Sequence, residues 1–329
     1  MSDDVLGIDD LIRLGDLDEL VRAVYRLADR WRWDDLLHLR DRCRMAHSTG
    51  RQLWPAAALA EYVVTLEAPP AIAAAVAADN SGRFVLGPLT EVLASRATWA
   101  EVADHLPPGP ERSLVAHERV VRGEDLRGDT TIDPAVIDLP LVLQSWEPPY
   151  TTVDYRRDRA EHLLPHRLLT FERVVDSAGE EIGDDDVDDA LRDLVEPWIT
   201  QSNGRLSSAC VEGQPGDALG ALGVGNGRIA SITPVEALDQ LMWAAASGGA
   251  HGRRRGGARA RQSLWWLLAA LAGAEDPWSC PDAEIDQAMA RLEWYEWHAG
   301  EPDLGWQLKL TVRDPIEDLS WAWSAVDTE

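Results

Sequence analysis

The sequence predicts an α+β protein with an irregular, α-solenoid-like helical array at residues 1–128 and a mixed α+β domain at residues 129–329. Three observations support this prediction. Apolar residues recur at helical spacing in the first part, alternating apolar residues occur only in the second, and a proline-rich stretch separates the two. Short helices joined by brief breaks are typical of helical arrays. Because no period repeats in the sequence, an irregular bundle fits as well.

The helices of the first part are predicted from their start signals and apolar spacing. Asp16 and Glu19 form a capping-box pattern, and Leu20, Val24 and Leu27 follow at helical spacing. A second capping box starts at Thr98, and its helix has to end before the prolines at 107 and 108 because proline cannot continue a helix. The same criteria predict further helices at about residues 34–47, 53–66, 71–78 and 111–122.

The second part mixes predicted strands and helices. Asn226-Gly227 between two apolar runs predicts a β-hairpin that pairs residues 218–224 with residues 228–232. Thr233, Pro234 and Glu236 together predict a helix start. Further strands are predicted at residues 137–143, 209–211, 306–312 and 320–325, and further helices at about 187–194, 234–246, 264–271 and 282–298.

The net charge of -26 limits the classes of partner. It argues against nucleic-acid binding, which needs a basic face for the phosphates, and it suits a basic protein partner or simply keeps the protein dispersed. Lys309 is the only lysine beside 30 arginines, which indicates a GC-rich, actinobacterial genome; a salt-loving source is the alternative.

Cysteine usage and the N-terminus predict a cytoplasmic protein. Cys43, Cys210 and Cys280 are isolated, odd in number and without CxxC spacing, so neither a disulfide framework nor a zinc site is indicated. The N-terminus is acidic where a signal peptide would be basic. No apolar run reaches membrane-spanning length. We therefore expect no membrane segment, no metal and no cofactor.

Several enzyme motifs are missing. The sequence contains no Gly-x-Ser-x-Gly elbow and no Walker loop, and its glycines at 220–227 have the wrong spacing for a dinucleotide loop. His162 and His166 have the spacing of two metal ligands on one helix face, but Pro165 interrupts that helix. The acidic run from Asp184 to Asp193 lacks the glycine and the glutamate that a calcium-binding loop requires. A Ser-His-Asp triad from distant positions would leave no such signature, so the question of catalysis stays open.

Positive charge is concentrated in one place, the arginine-rich segment at residues 247–261. Glycines precede the start of an apolar helix there, so backbone N–H groups and guanidinium forks are expected to form a cradle for phosphate or carboxylate. The alternative is that the arginines pair with the protein's own acids. The predicted ligand-binding residues are Ser247, His251, Arg253, Arg254, Arg255, Arg259 and Arg261.

Tryptophan is concentrated toward the end of the chain, where nine of the 15 fall between Trp243 and Trp323. Such a cluster serves either as a stacking surface or, more often, as core packing.

Two parts of the sequence resemble a family of actinobacterial proteins known only as a domain of unknown function. They are the run Ser-Gly-Gly-Ala-His-Gly-Arg-Arg-Arg-Gly at residues 247–256 and the run Ser-Trp-Ala-Trp-Ser-Ala at residues 320–325. The resemblance covers the last third of the chain and implies no activity.

The function that these observations favour is that of an acidic binding or scaffold protein acting through protein–protein contacts. The alternative is an enzyme or ligand sensor that recognises a phosphate- or carboxylate-bearing small molecule at the arginine-rich segment. The two differ in one observable feature, namely whether the arginines face an open pocket or internal carboxylates.

Overall fold

The computed structural model describes residues 7–48, 50–79, 86–173, 179–274, 280–300 and 305–328. The chain divides into two compact units. The first comprises Met1–Arg119, Gly128–Val136 and Val153–Glu161, and the second comprises Val120–Arg127, Ile137–Thr152 and His162–Glu329. The predicted α+β class is confirmed, since helices make up the first part and an antiparallel sheet with helices lies in the second.

The beginning of the chain is helical, as predicted, and its described part contains no strand before Asp154. The Asp16 side chain accepts a hydrogen bond from the Glu19 N–H at 3.1 Å, and the capping box at Thr98 forms as well. These caps satisfy backbone donors that the first turn leaves free. The helices are α1 (Ile8–Leu14), α2 (Leu17–Asp29), α3 (Trp33–Ser48), α4 (Trp54–Glu67), α5 (Pro70–Ala78), α6 (Leu89–Arg96), α7 (Trp99–Val102) and α8 (Pro110–Val121), with a 3-10 turn at Ala103–His105.

A small antiparallel hairpin completes the first unit. It consists of β1 (Asp154–Tyr155) and β2 (Ala160–Glu161). The Tyr155 hydroxyl donates to the buried Glu91 carboxylate at 2.6 Å, and Arg157 bridges Asp29 and Glu67. The hairpin therefore supplies partners for acidic groups of three helices.

The second unit contains a six-stranded antiparallel sheet with the strand order β3-β5-β6-β7-β8-β4. Its strands are β3 (Glu172–Arg173), β4 (Arg205–Glu212), β5 (Arg228–Ile232), β6 (Glu293–His298), β7 (Trp306–Asp314) and β8 (Leu319–Asp327). Its helices are α9 (Asp185–Leu194), α10 (Glu196–Gln201), α11 (Pro215–Ala221), α12 (Pro234–Ala246), α13 (Gly257–Leu271) and α14 (Asp282–Arg291).

Most of the clustered tryptophans contribute to the packing of this sheet. Trp294, Trp321 and Trp323 are buried in the main core, whereas Trp297 is buried in a smaller cluster with Leu219 of α11. The strand alternation places neighbouring side chains on opposite faces, so one sheet serves two cores. Trp278 lies outside the described residues.

Three predictions about the second unit differ from the structure, the first of them because a short apolar run suits both a helix and a strand. Residues 218–224 do not form the first strand of a hairpin, because a capping box at Gln214 and Asp217 starts α11 there. The Asn226-Gly227 turn therefore connects a helix to β5, which pairs with β3 and β6.

The predicted helix at residues 282–298 is correct only as far as Arg291. The aromatic-rich residues 293–298 form β6, because they pair with strands on both sides. The predicted strand at residues 137–143 is also wrong. Pro140 lacks an N–H for strand pairing, and the carbonyls of Pro140 and Val142 accept hydrogen bonds from Arg261 instead.

Candidate functional site in the arginine-rich segment

The arginine-rich segment is a compact connection between α12 and α13. The N–H groups of Arg255 and Gly256 both donate to the Ala246 carbonyl at the end of α12, at 2.9 and 3.4 Å. Gly249 has a φ of 69°, and a Cβ there would lie 2.2 Å from the Asp327 carboxylate, which accepts from the Ala250 N–H at 2.6 Å. Glycine at position 249 is thus explained by its positive φ and by its close approach to Asp327.

Arg261 is the most deeply buried member of the segment. Its side chain and that of Glu147 are each 0% exposed, and the two form a bidentate ion pair with both N–O distances at 2.7 Å. Two further guanidinium protons go to the Pro140 and Val142 carbonyls at 2.9 and 3.1 Å. Each of the three guanidinium nitrogens of Arg261 therefore has an internal partner, and the residue anchors residues 140–147 to α13.

Glu147 is fully satisfied as well. Its carboxylate accepts from the Tyr150 hydroxyl at 3.1 Å, the Trp265 indole at 3.2 Å and the Gln144 N–H at 2.9 Å. Burial, followed by the Glu147 charge, raises the pKa of Tyr150 well above its ordinary value, so the phenol stays protonated and donates. This complete network explains how an ion pair can lie in the core without leaving an unpaired charge.

Arg255 is tied to α9 and α13. One guanidinium nitrogen donates to the Asp193 carbonyl, and the other lies 3.5 Å from the Asp193 carboxylate and 3.1 Å from the Ser263 hydroxyl. Ser263 also donates to the Asp193 carboxylate at 2.6 Å. Arg259 lies nearby and donates to Gln262 at 2.9 Å, and burial, then the positive charge of Arg255, lower the pKa of Arg259.

Arg254 contacts His162, one of the two histidines with helical spacing in the sequence. His162 Nε2 faces the Thr151 carbonyl at 2.8 Å, and its Nδ1 faces Arg254 at 3.2 Å. Because a carbonyl only accepts, the proton belongs on Nε2, and Nδ1 accepts from Arg254. Within the described ranges, no three His, Cys, Asp or Glu side chains are grouped in a way that could hold a metal ion.

The other predicted residues are not brought together with these. Ser247 is buried at the end of α12, where its hydroxyl accepts from the Trp198 indole at 2.9 Å. His251 and Arg253 are exposed, and their backbone N–H groups donate to Ser202 and Gln201 at the end of α10. The seven side chains thus range from the core to the surface and do not converge on one point.

A comparison with protein families gives one match. A family model covers residues 18–315, which is most of the chain. The chain belongs to this family of unknown function, DUF6183. The resemblance expected from the sequence is thereby confirmed, although it extends far beyond the last third of the chain and ends before the run at residues 320–325. No curated protein and no solved structure matches the chain.

The partners of the arginines in this DUF6183 chain were not foreseen from the sequence. Glu147 and Asp193 are two among 57 acidic residues, and neither stands in a motif that marks it as a partner. Glu147 is 114 residues away from Arg261 along the chain. Only the chain fold brings such distant charges together.

Among the described helices, none is both long and apolar enough to cross a membrane.

Proposed function

We propose that this protein is a cytoplasmic binding or scaffold protein that acts through protein–protein contacts, with Trp31 of the helical unit at the centre of the contact surface. The observation that carries the proposal is the conformation and exposure of Trp31, which has a φ of 57° and is 75% exposed. Positive φ is unfavourable for a bulky side chain. A large apolar ring in this position on the surface is therefore a candidate for function.

The backbone around Trp31 explains the unusual conformation. Helix α2 ends in a Schellman motif, in which the Arg32 N–H donates to Leu27 O and the Trp31 N–H donates to Ala28 O, both at 2.9 Å. The residue that follows the C-cap residue of such a motif, here Trp31, adopts a left-handed conformation and is usually glycine. Tryptophan in its place costs about 1–2 kcal/mol of conformational free energy.

The side chain of Trp31 offsets part of that cost through a contact with a neighbouring ring. Its ring makes an edge contact with Trp33, with 6.3 Å between the ring centroids. Trp33 itself is buried, so the pair presents one anchored and one exposed indole. Tryptophan and arginine are the residue types most enriched at binding hot spots, and here Arg30 and Arg32 flank the exposed ring.

The partner that fits best is a basic protein with an apolar pocket for the indole. The charge of -26 on the chain attracts a basic partner over a longer range than any contact and speeds the encounter. The isolated cysteines are in keeping with a reducing compartment such as the cytoplasm.

The proposal predicts that Trp31→Gly and Trp31→Ala abolish binding while the protein stays folded. The glycine variant relieves the backbone strain but loses the ring contact, so we expect the free energy of unfolding to stay within about 1 kcal/mol of the wild type. The measurement is affinity capture from a lysate of the source organism followed by mass spectrometry, with thermal melts of each variant. Ile316→Ala is the matched control, because Ile316 is also an exposed apolar residue, at 73%.

Support requires proteins that are captured by the wild type and by Ile316→Ala, that are lost with both Trp31 variants, and that are released by added salt. An identical set of captured proteins with and without the indole contradicts the proposal. A loss of several kcal/mol in stability for Trp31→Gly contradicts it as well, because the ring would then be structural.

The ligand-sensor alternative stays a hypothesis, and one observation favours it. Burial, then the positive charge of Arg255, lower the pKa of Arg259, and an anion beside both arginines would offset this repulsion. Asp193 already lies beside Arg255 in the structure, however, at 3.5 Å. The protein-contact proposal therefore has the stronger structural support.

A further inference from the structure

A cavity of about 570 Å³ opens in the second unit. None of the seven predicted residues lines it. Its walls come from residues 164–171, from Gln240 and Trp243 of α12, and from the ends of β6 and β7. The volume lies within the range of about 300–1,000 Å³ that is typical of small-molecule sites.

The divergence of two neighbouring strands creates this cavity. β6 and β7 pair from Glu293 opposite Arg313 to Glu296 opposite Leu310. Beyond that point β6 continues to pair with β5 as far as His298, and β7 pairs with β8 from Trp306 onward. The lining of the cavity therefore includes residues of both sheet faces, with Glu296 from one face and Lys309 from the other.

Lys309 is the first observation that points to an anionic ligand. It is the only lysine in a chain of net charge -26, yet no carboxylate within the described ranges forms an ion pair with it. Its ammonium group lies 5.5 Å from the centre of the Trp297 ring, which is a cation–π contact. Lys309 belongs to the lining of the cavity, so its charge can attract an external anion there.

Arg167 is the second, independent observation. Its Nη2 donates to Glu296 at 2.6 Å, and Gln240 donates to the same carboxylate oxygen at 2.9 Å. Its Nη1 is buried and has no hydrogen-bond partner among the described residues. A buried donor without an acceptor costs free energy, so a ligand oxygen at this nitrogen would be stabilising.

Aromatic rings supply the rest of the wall. Trp243 stacks on Trp306 with 5.0 Å between the ring centroids and 14° between the ring planes, which holds its orientation. Phe171 makes an edge contact with His298 at 5.7 Å. Rings fixed by their own neighbours offer a preformed surface for a flat group.

We propose that this cavity binds a small organic anion that carries a carboxylate or phosphate group on a flat ring. The Lys309 ammonium supplies the opposite charge, the Arg167 Nη1–H supplies a second donor, and Trp243 and Phe171 contact the ring. Glu296 neutralises Arg167, so Lys309 carries the net positive charge of the site. This binding site is independent of the contact surface at Trp31.

The single lysine allows a direct test in the full-length wild-type protein. Acylation of Lys309 by an amine reagent is followed by peptide mass spectrometry, with and without four probes. The probes are a nucleoside monophosphate, an aromatic carboxylate, and their uncharged counterparts, the nucleoside and the aromatic amide. Inorganic phosphate is tested alone. We expect at least one charged ring compound to slow acylation about tenfold when present at ten times its Kd, with little protection by the uncharged probes or by phosphate.

A pair of variants checks that the charge of Lys309 is responsible. Lys309→Met should weaken binding of the protecting probe by about 10- to 100-fold, as expected for the loss of a hydrogen bond from a charged donor. Arg205→Gln is the matched control, because it removes one exposed positive charge from β4 at the sheet edge and should leave the affinity unchanged. Calorimetry measures both.

Three results would overturn the proposal. The first is no protection of Lys309 by either charged ring compound at millimolar concentration. The second is equal protection by inorganic phosphate, which would indicate a bare anion site. The third is an affinity of Lys309→Met equal to that of the wild type. If only the nucleotide or only the aromatic carboxylate protects, the proposal stands and the anionic group is identified.

Discussion

The arginine-rich segment and the Lys309 cavity belong to the same unit, but they use their positive charges in opposite ways. Arg261 and Arg255 are bound to Glu147 and Asp193, so the strongest charge cluster of the sequence is bound largely to the protein itself. Lys309 has no such partner within the described residues. The local density of a charge in the sequence therefore does not predict its availability, which depends on the carboxylates that the fold places beside it.

The largest expected effect is the loss of Arg261. Arg261→Met leaves the buried Glu147 carboxylate without its counter-charge, and breaking a buried pair costs about 3–5 kcal/mol. Chemical denaturation measures this difference, with Arg205→Gln as the control, because Arg205 is exposed at the start of β4 and should change stability by no more than about 0.5 kcal/mol.

A milder variant keeps this prediction testable if Arg261→Met does not fold. Arg261→Lys retains the charge but loses the bidentate fork, and we expect a loss of about 1.5–3 kcal/mol from the missing charged hydrogen bond. Wild-type stability in either variant would mean that the ion pair does not anchor residues 140–147.

An intermediate effect is expected for Arg255. Its ion pair with Asp193 is partly exposed, and Ser263 continues to donate to that carboxylate when the guanidinium is removed. Arg255→Ala should therefore cost about 1 kcal/mol, measured by the same denaturation experiment. A loss as large as that of Arg261→Met would show that the two ends of the segment are equally structural.

The smallest effect on stability is expected for Lys309→Met. Without an ion-pair partner in the described part of the chain, this side chain contributes only its contact with Trp297, worth about 0.5–1 kcal/mol. In the absence of ligand, the free energy of unfolding of Lys309→Met, measured by the same denaturation experiment, should be within about 1 kcal/mol of the wild-type value. A large destabilisation would place Lys309 with the arginines as a structural group.

Local signals predicted many of the elements correctly. The capping boxes at Asp16, Thr98 and Thr233 act within one turn of helix, and each lies at the start of a helix in the structure. The alternation of apolar residues at 306–312 predicted β7 for the same reason, because neighbouring side chains on a strand point to opposite faces.

Tertiary structure decided the remaining features, because they depend on partners far away in the sequence. Residues 293–298 are a strand rather than the end of a helix because β5 and β7 pair with them. Arg261 is structural because Glu147, 114 residues away, lies beside it. The Lys309 cavity forms where β6 and β7 separate, and no local pattern indicates that point. The sequence by itself determined the fold class and most of the elements, whereas only the fold decided which charges are bound internally and which have no ion-pair partner among the described residues.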